Sequence, residues 1–158
     1  MPWKQCGPRR GTGLMPLIDT SVIIRYFTGD NEELSERAAA IIETEEELIV
    51  TDIVIVETGY VLTKLYGIER KLAVDTIIAL LQMPNVSISG MDKSAAFEAL
   101  LLCRPSNRVS FADAFIWIRV RKMKNKVIYS FDKRFPRGNI AVRTKFSVPA
   151  SADRSGWQ

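Results

Sequence analysis

The order of apolar and polar positions along the chain predicts strands that alternate with helices. Short apolar runs predict five strands, at residues 15–18, 48–50, 86–89, 127–130 and 140–142. Between them, apolar residues recur at helical spacing over residues 22–28, 32–43, 52–66, 69–81, 92–103 and 110–123. This alternation is typical of a mostly parallel sheet covered by helices on both faces. We therefore predict an α/β three-layer sandwich around a mostly parallel five-stranded sheet.

Both ends of the chain lack this periodicity. Residues 1–14 contain no apolar stretch of the kind found in a signal peptide, and we expect them to be a disordered N-terminal extension. Residues 147–158 are small and polar, and we expect a flexible tail. One globular domain is thus predicted over residues 15–146. Its apolar runs are shorter than the roughly 18 residues of a membrane span, so no membrane partner is expected.

The residue types present restrict the chemistry. The chain has no His and two Cys, Cys6 and Cys103, in 158 residues. A Ser-His or Cys-His nucleophile pair is therefore excluded within the chain, and a zinc site of the usual kind is not expected. Two Cys give no disulfide framework, which favours a reducing compartment. We interpret the protein as cytoplasmic.

Charge is unevenly distributed although the net charge is only +4. Residues 30–57 contain ten acids and one base, whereas residues 104–145 contain twelve bases and two acids, Asp113 and Asp132. The basic segment favours an anionic partner, with nucleic acid first. Solvated helix faces can also carry this much charge. The two acids attract attention because both lie within apolar sequence.

Two acids follow predicted strands. Asp19 comes directly after the first strand, in the sequence LIDTS, and Asp132 comes shortly after the fourth. Ligands of parallel sheets bind in the crevice beyond the carboxyl ends of the strands. If these two strands are neighbours, both carboxylates point into the same crevice. The alternative is that each Asp simply caps the turn or helix that follows it.

Two further acids lie on predicted helices. The helical neighbours of Glu57 are all apolar, so its carboxylate is expected to need a cation, a metal or a raised pKa. Asp113 follows Ser110 at the spacing of a capping box, which is a structural role. The first turn of a helix nevertheless points toward the sheet edge, so the two interpretations of Asp113 are compatible.

Four carboxylates near one sheet edge would repel each other unless a cation joined them. Carboxylates and water are the ligands that Mg²⁺ and Mn²⁺ prefer. Without His, a metal-activated water is the most accessible hydrolytic nucleophile.

Four segments together resemble a PIN-domain nuclease, and most closely the toxin subunits of VapBC toxin-antitoxin pairs. They are LIDTS with Asp19, residues 53–62 with Glu57, SFADAFI with Asp113, and SFDKRF with Asp132. The resemblance extends over residues 15–145. It implies a five-stranded parallel sheet and an acidic pocket that holds Mg²⁺ or Mn²⁺ and cleaves single-stranded or looped RNA.

The resemblance also implies roles for individual residues. Three acids would hold the ion and the fourth, Glu57, would complete its shell or orient the water; the three are Asp19, Asp113 and Asp132. Ser21 and Ser130 would support the site, although Asn and Thr, respectively, are common at these positions in the family. Basic residues would bind the RNA backbone, including Lys133, Arg134 and Arg137. Arg134 stands where many members have another acid, which puts a two-metal site in question.

Partners follow from the resemblance as well. Homodimers are usual, and toxin members are inhibited by an antitoxin whose basic side chain enters the acidic pocket. Four apolar residues are candidates for such contacts, with core packing as the alternative for each: Phe27, Tyr60, Tyr66 and Phe115.

Three other functions remain open at this point. A PIN nuclease can serve in RNA processing without an antitoxin, and a domain of this fold can bind RNA or protein without catalysis. A phosphatase of the haloacid-dehalogenase kind also places an Asp after its first strand. It normally needs a second Asp two residues later, where this chain has Ser21.

Overall fold

Six α-helices and four β-strands form the part of the chain that this computed structural model describes, residues 15–44 and 47–146. The helices are α1 (Thr20–Thr28), α2 (Glu32–Thr44), α3 (Asp52–Tyr60), α4 (Arg70–Gln82), α5 (Lys93–Cys103) and α6 (Phe111–Lys122). The strands are β1 (Leu48–Thr51), β2 (Val86–Ser89), β3 (Val127–Tyr129) and β4 (Ala141–Arg143). The predicted alternation of strands and helices is confirmed.

Polar caps explain where the helices begin. The Asp19 carboxylate accepts a hydrogen bond from the Ser21 backbone N–H at 3.2 Å and caps α1. Thr51 caps α3 and Ser110 caps α6 in the same way. Gly29 ends α1 in the left-handed conformation, with φ of 62°, which glycine adopts without steric cost.

The strands pair in parallel, but they form two separate sheets within the described residues. β1 pairs with β2 from Leu48↔Val86 to Thr51↔Ser89, and β3 pairs with β4. The predicted strand at residues 15–18 contributes one parallel bridge, Leu17↔Ile49. Pro16 has no N–H to donate, so this segment can make few ladder bonds. The predicted parallel pairing is confirmed, whereas a single five-stranded sheet is not.

The helix predicted over residues 52–66 changes character before its end. After Tyr60, a π-helical turn covers Val61–Leu65, where the wider spacing of backbone hydrogen bonds replaces the α-helical pattern. The Thr63 hydroxyl donates to the Gly59 carbonyl at 2.7 Å within this region. The turn follows Glu57 by one helical turn and therefore lies beside the candidate site.

One apolar core joins the β1–β2 sheet to the helices. Its fully buried side chains include Leu48 and Val50 on β1 and Leu100 on α5. Helices α3 and α6 approach each other closely at Gly59, where an added Cβ would lie 2.7 Å from the Phe111 ring. This contact fixes the helix that carries Glu57 against the helix that carries Asp113.

The predictions for the chain ends, residues 1–14 and 147–158, lie outside the described residues, and the domain limits of 15–146 stay a prediction. Within residues 15–44 and 47–146, helices long and apolar enough to cross a membrane are absent.

Candidate active site

Asp19 and Glu57 line one cavity of about 330 Å³ between α1 and α3. The N-cap position brings Asp19 to the start of α1, while Glu57 lies in the middle of α3. The π-helical turn closes another side of this acidic cavity through Val61 and Leu65. The structure thus brings two of the four predicted acids to one opening.

Thr20 connects the two acids, and sequence reasoning did not assign it to the site. Its hydroxyl donates to the Glu57 carboxylate at 2.5 Å, and its side chain is buried, with 7% of its surface exposed. A buried hydroxyl directly after Asp19 therefore holds a carboxylate that comes from 37 residues later in the chain. One signal for Thr20 was present in the sequence: it is a β-branched residue with a hydroxyl, and it lies between the two candidates Asp19 and Ser21.

Glu57 is exposed to solvent, which corrects the expectation of a desolvated carboxylate. The apolar neighbours on its helix line a groove instead of closing over it. Its charge therefore needs no buried cation, and its oxygen atoms are open to a ligand.

Asp19 accepts two hydrogen bonds from Ser21. The Ser21 hydroxyl donates to the Asp19 carboxylate at 2.7 Å, and the Ser21 backbone N–H donates to the same oxygen. These two bonds lower the pKa of Asp19 below its ordinary value, the hydroxyl having the larger effect. Ser21 thus contacts the acid that it was predicted to support.

Asp113 and Asp132 are not among the described residues that line the acidic cavity. Asp113 accepts a hydrogen bond from the Ser110 hydroxyl at 2.7 Å in the first turn of α6, as the capping interpretation predicts. Asp132 accepts from the Arg134 backbone N–H at 2.8 Å, and the Ser130 hydroxyl accepts from the Asp132 backbone N–H at 3.1 Å. Both acids therefore have the capping role that the sequence analysis gave as the alternative to a functional role.

The strands that precede Asp19 and Asp132 do not pair with each other in the described structure. Leu17 bridges to β1, whereas β3 pairs with β4. Asp19 and Asp132 were expected to share a crevice if their strands were neighbours. Within the described residues these strands are not hydrogen-bonded to each other.

A cation lies at the rim of the acidic cavity. Arg25 and Tyr66 both line it, and Asp30 contacts both, accepting from the Tyr66 hydroxyl at 2.7 Å and pairing with Arg25 at 2.5 Å. Arg25, Tyr66 and Thr28 all bond to Asp30, which lowers the pKa of its carboxyl. Arg25, Thr28 and Asp30 lie close together along the chain, but Tyr66 joins them from 36 residues beyond Asp30, and sequence reasoning did not foresee that contact.

The predicted RNA-binding cations are exposed, and one of them is paired. Lys133 and Arg137 are exposed, while Arg134 approaches the Asp132 carboxylate at 3.5 Å. The cations of α6 form ion pairs with acids at the protein surface. These pairs are Arg119 with Asp52, Arg121 with Glu98, and Lys122 with Asp92 at 2.5 Å.

A second, apolar groove of about 560 Å³ runs between α3 and α6, and Glu57 lines it too. Of the predicted contact residues, Tyr60 is exposed in this groove, whereas Phe115 lines it but is buried. Tyr66 is exposed at the acidic cavity, and Phe27 is half-buried against the core.

The carboxylate oxygens at the acidic cavity are suitable ligands for a hard divalent cation, but they are few. Across residues 15–44 and 47–146, no three acids, Cys or His are close enough together to hold an ion. Asp19 and Glu57 nevertheless offer carboxylate oxygens at one solvent-accessible cavity. Mg²⁺ is commonly bound by one or two carboxylates and completes its shell with water and substrate phosphate. A pair of this kind fits that mode of binding.

The PIN domain family model matches residues 17–140. The chain therefore belongs to the PIN domain family. PIN domains are generally nucleases, which carry out a hydrolase kind of reaction and typically use divalent metals. A comparison with curated proteins gave no match.

Proposed function

We propose that this chain is a metal-dependent endoribonuclease, which hydrolyses RNA phosphodiester bonds with Mg²⁺ or Mn²⁺. One observation carries the proposal beyond family membership: Asp19, at the N-cap of α1, and Glu57, on α3, line the same open cavity. Two carboxylates at one solvent-accessible opening offer oxygen ligands of the kind that a hard divalent cation takes.

In the proposed site, the chain's own residues hold and orient the acids. Asp19 and Glu57 would hold the ion, Ser21 orients the Asp19 carboxylate and lowers its pKa, and Thr20 fixes the Glu57 carboxylate. When bound, the ion would supply a more acidic water and positive charge beside the scissile phosphate. Arg25 at the rim is placed to attract the RNA backbone, although Asp30 neutralises part of its charge.

We also propose that Asp113 and Asp132 take part in the reaction, because the PIN resemblance implies it. Neither is among the described residues that line the acidic cavity, and each accepts a local hydrogen bond, Asp113 from the Ser110 hydroxyl and Asp132 from the Arg134 backbone N–H. The Ser130 hydroxyl supports this segment by accepting a hydrogen bond from the Asp132 backbone N–H. Exposed cations would bind the RNA backbone, among them Lys133, Arg134 and Arg137.

We further propose that the nuclease acts in the cytoplasm as the toxin of a toxin-antitoxin pair, as the resemblance to the VapBC toxin subunits suggests. The cognate antitoxin would insert a basic side chain into the acidic cavity. The charge of that cavity supports this pairing, since its carboxylates, Asp19 and Glu57, outnumber its single cation, Arg25.

The test is cleavage of single-stranded and hairpin RNA by the purified protein with Mg²⁺, Mn²⁺ or EDTA. Cleavage should require the metal, and Asp19→Asn or Glu57→Gln should reduce it about 100-fold or more, because several kcal/mol of charge stabilisation would be lost. Asp113→Asn and Asp132→Asn test the assignment of the other two acids.

Asp92→Asn is a matched control. Asp92 caps α5 and accepts from the Ser94 hydroxyl, as Asp19 does from Ser21, but it does not line the acidic cavity. It should leave cleavage unchanged. RNA that stays intact under every condition, together with no metal binding by calorimetry, would contradict the proposal and favour a non-catalytic binding module.

A further inference from the structure

The small β3–β4 sheet has one face that is open to solvent. Tyr129 pairs in register with Arg143, so their side chains lie next to each other on that face. Tyr129 is 53% exposed and Arg143 is exposed, whereas Ile128 and Val142, on the opposite face, are half-buried. An aromatic ring and a guanidinium therefore lie side by side in solvent.

A second aromatic side chain extends this face toward the proposed acids. The Ser130 N–H donates to the Arg143 carbonyl at 3.0 Å and continues the pairing by one residue. Phe131 follows, 87% exposed, and directly precedes Asp132. Phe131 thus presents an open aromatic ring between two proposed site residues, Ser130 and Asp132.

The cations near these rings differ from those of α6. Lys133, Arg143 and Lys145 are exposed and form no ion pair with any described acid, whereas three α6 cations are paired. Their charge is thus available to an anionic ligand. The aromatic-basic surface is defined here as Tyr129, Phe131, Lys133, Arg143 and Lys145.

We infer that the aromatic-basic surface binds a single-stranded segment of RNA, with bases stacked on Tyr129 and Phe131 and phosphates against the neighbouring cations. Unpaired bases expose the flat faces that aromatic rings stack on, which a duplex hides. The excess of unpaired positive charge favours RNA over an apolar protein partner. The inference deepens the proposed function and rests on it, since a strand held at Phe131 would continue past Asp132.

Binding is tested without turnover. Fluorescence anisotropy in EDTA measures the Kd of full-length protein for a labelled oligouridylate of about 12 nucleotides, at several salt concentrations. Phe131→Ala should weaken binding roughly 5- to 150-fold, which corresponds to the loss of one stacked base. The slope of log Kd against log salt should not change, because no charge is removed. Phe131→Trp should retain the affinity.

Arg143→Ala and Lys145→Ala should behave differently. Each should lower that salt slope by about 0.7 for every phosphate contact removed, with a smaller loss of affinity at high salt. Two exposed residues outside the surface, Leu72 on α4 and Arg37 on α2, provide matched controls. Leu72→Ala and Arg37→Ala should change neither the affinity nor the slope.

The outcomes separate this inference from the proposed function. Affinity that is the same in Phe131→Ala as in the original protein would overturn the inference, even if Asp19-dependent cleavage is present. The inference would also be overturned if Phe131→Ala altered only self-association, which would make the surface a protein interface. Loss of binding in Phe131→Ala with no RNA cleavage by the original protein would support the surface and contradict the nuclease.

Discussion

At the residue scale, the Thr20 hydroxyl holds the Glu57 carboxylate in its position at the acidic cavity. Thr20→Val keeps the buried volume and removes the bond to Glu57. We expect RNA cleavage to fall roughly 10- to 100-fold, as is typical when a partner that orients a metal ligand is lost. The free energy of unfolding should change by about 1 kcal/mol or less, because the exposed Glu57 regains hydration.

Cleavage rates and urea denaturation together check this prediction. Thr20→Ser keeps a hydroxyl at the same position and should restore most of the activity. Equal cleavage by the valine variant and the original protein would show that Glu57 does not need to be held by Thr20.

The Ser21 hydroxyl should be visible in the titration of Asp19. Ser21 lowers the pKa of Asp19 in the folded protein, so the ionised carboxylate stabilises the fold. This stabilisation is complete above about pH 4, the pKa of an Asp in the unfolded chain. It is lost as the pH falls through the lowered pKa of the folded protein. Ser21→Ala should therefore raise the pKa of Asp19, as followed by NMR of the carboxyl carbon. Its stability deficit should be largest above about pH 4 and shrink in more acid solution.

Ser94→Ala removes the equivalent hydroxyl at Asp92, where the Lys122 ion pair is the largest cause of the lowered pKa. It should leave both the titration of Asp19 and the cleavage of RNA unchanged. A Ser21→Ala variant in which the pKa of Asp19 does not move would contradict the assignment.

At the residue scale, the sequence predicted four acids for one site, and the structure brings two of them to one cavity. Asp19 and Glu57 meet at one cavity, as expected, but Glu57 is exposed. Apolar neighbours along a helix do not reveal whether another element covers them. The Thr20 bond was also beyond sequence reasoning, because it joins residues from two helices whose packing is not encoded locally.

At the scale of elements, the contact between α3 and α6 leaves no room for a side chain at position 59. Alanine at position 59 would gain about 1 kcal/mol of helix propensity. Its Cβ would meet the buried Phe111 ring at 2.7 Å, and such overpacking costs about 1–3 kcal/mol. We expect Gly59→Ala to lower the free energy of unfolding by about 1 kcal/mol, measured by urea denaturation, and to reduce cleavage by moving Glu57.

A double-mutant cycle separates the clash from other effects. In a Phe111→Leu background the rigid ring is gone, so the same Gly59→Ala change should become neutral or stabilising. Additive effects of the two substitutions would mean that α3 and α6 do not restrain each other at this point.

Element types and most element limits followed from the sequence, because cap residues and apolar periodicity are local signals. Strand β2 matches its predicted range of 86–89, and α1 ends at Thr28, the predicted end of the first helix. Pairing between strands is not local. The sequence therefore left open which strands would be neighbours, and the bridge at Leu17 with the separate β3–β4 sheet differs from the single sheet that was expected.

At the scale of the whole molecule, the apolar groove between α3 and α6 predicts self-association. Ile53 is 74% exposed there, next to the exposed Tyr60 and Ile116. Apolar patches of this kind commonly mark protein interfaces, and a twofold pair would cover the same groove on both copies. We expect a homodimer, measurable as twice the chain mass by sedimentation.

Ile53→Glu would place a charge in that interface and should weaken dimerisation about 100-fold or more, since burying an unpaired carboxylate costs several kcal/mol. Leu72→Glu changes a similarly exposed side chain on α4 and should leave the dimer intact. A monomer at every concentration would contradict the prediction.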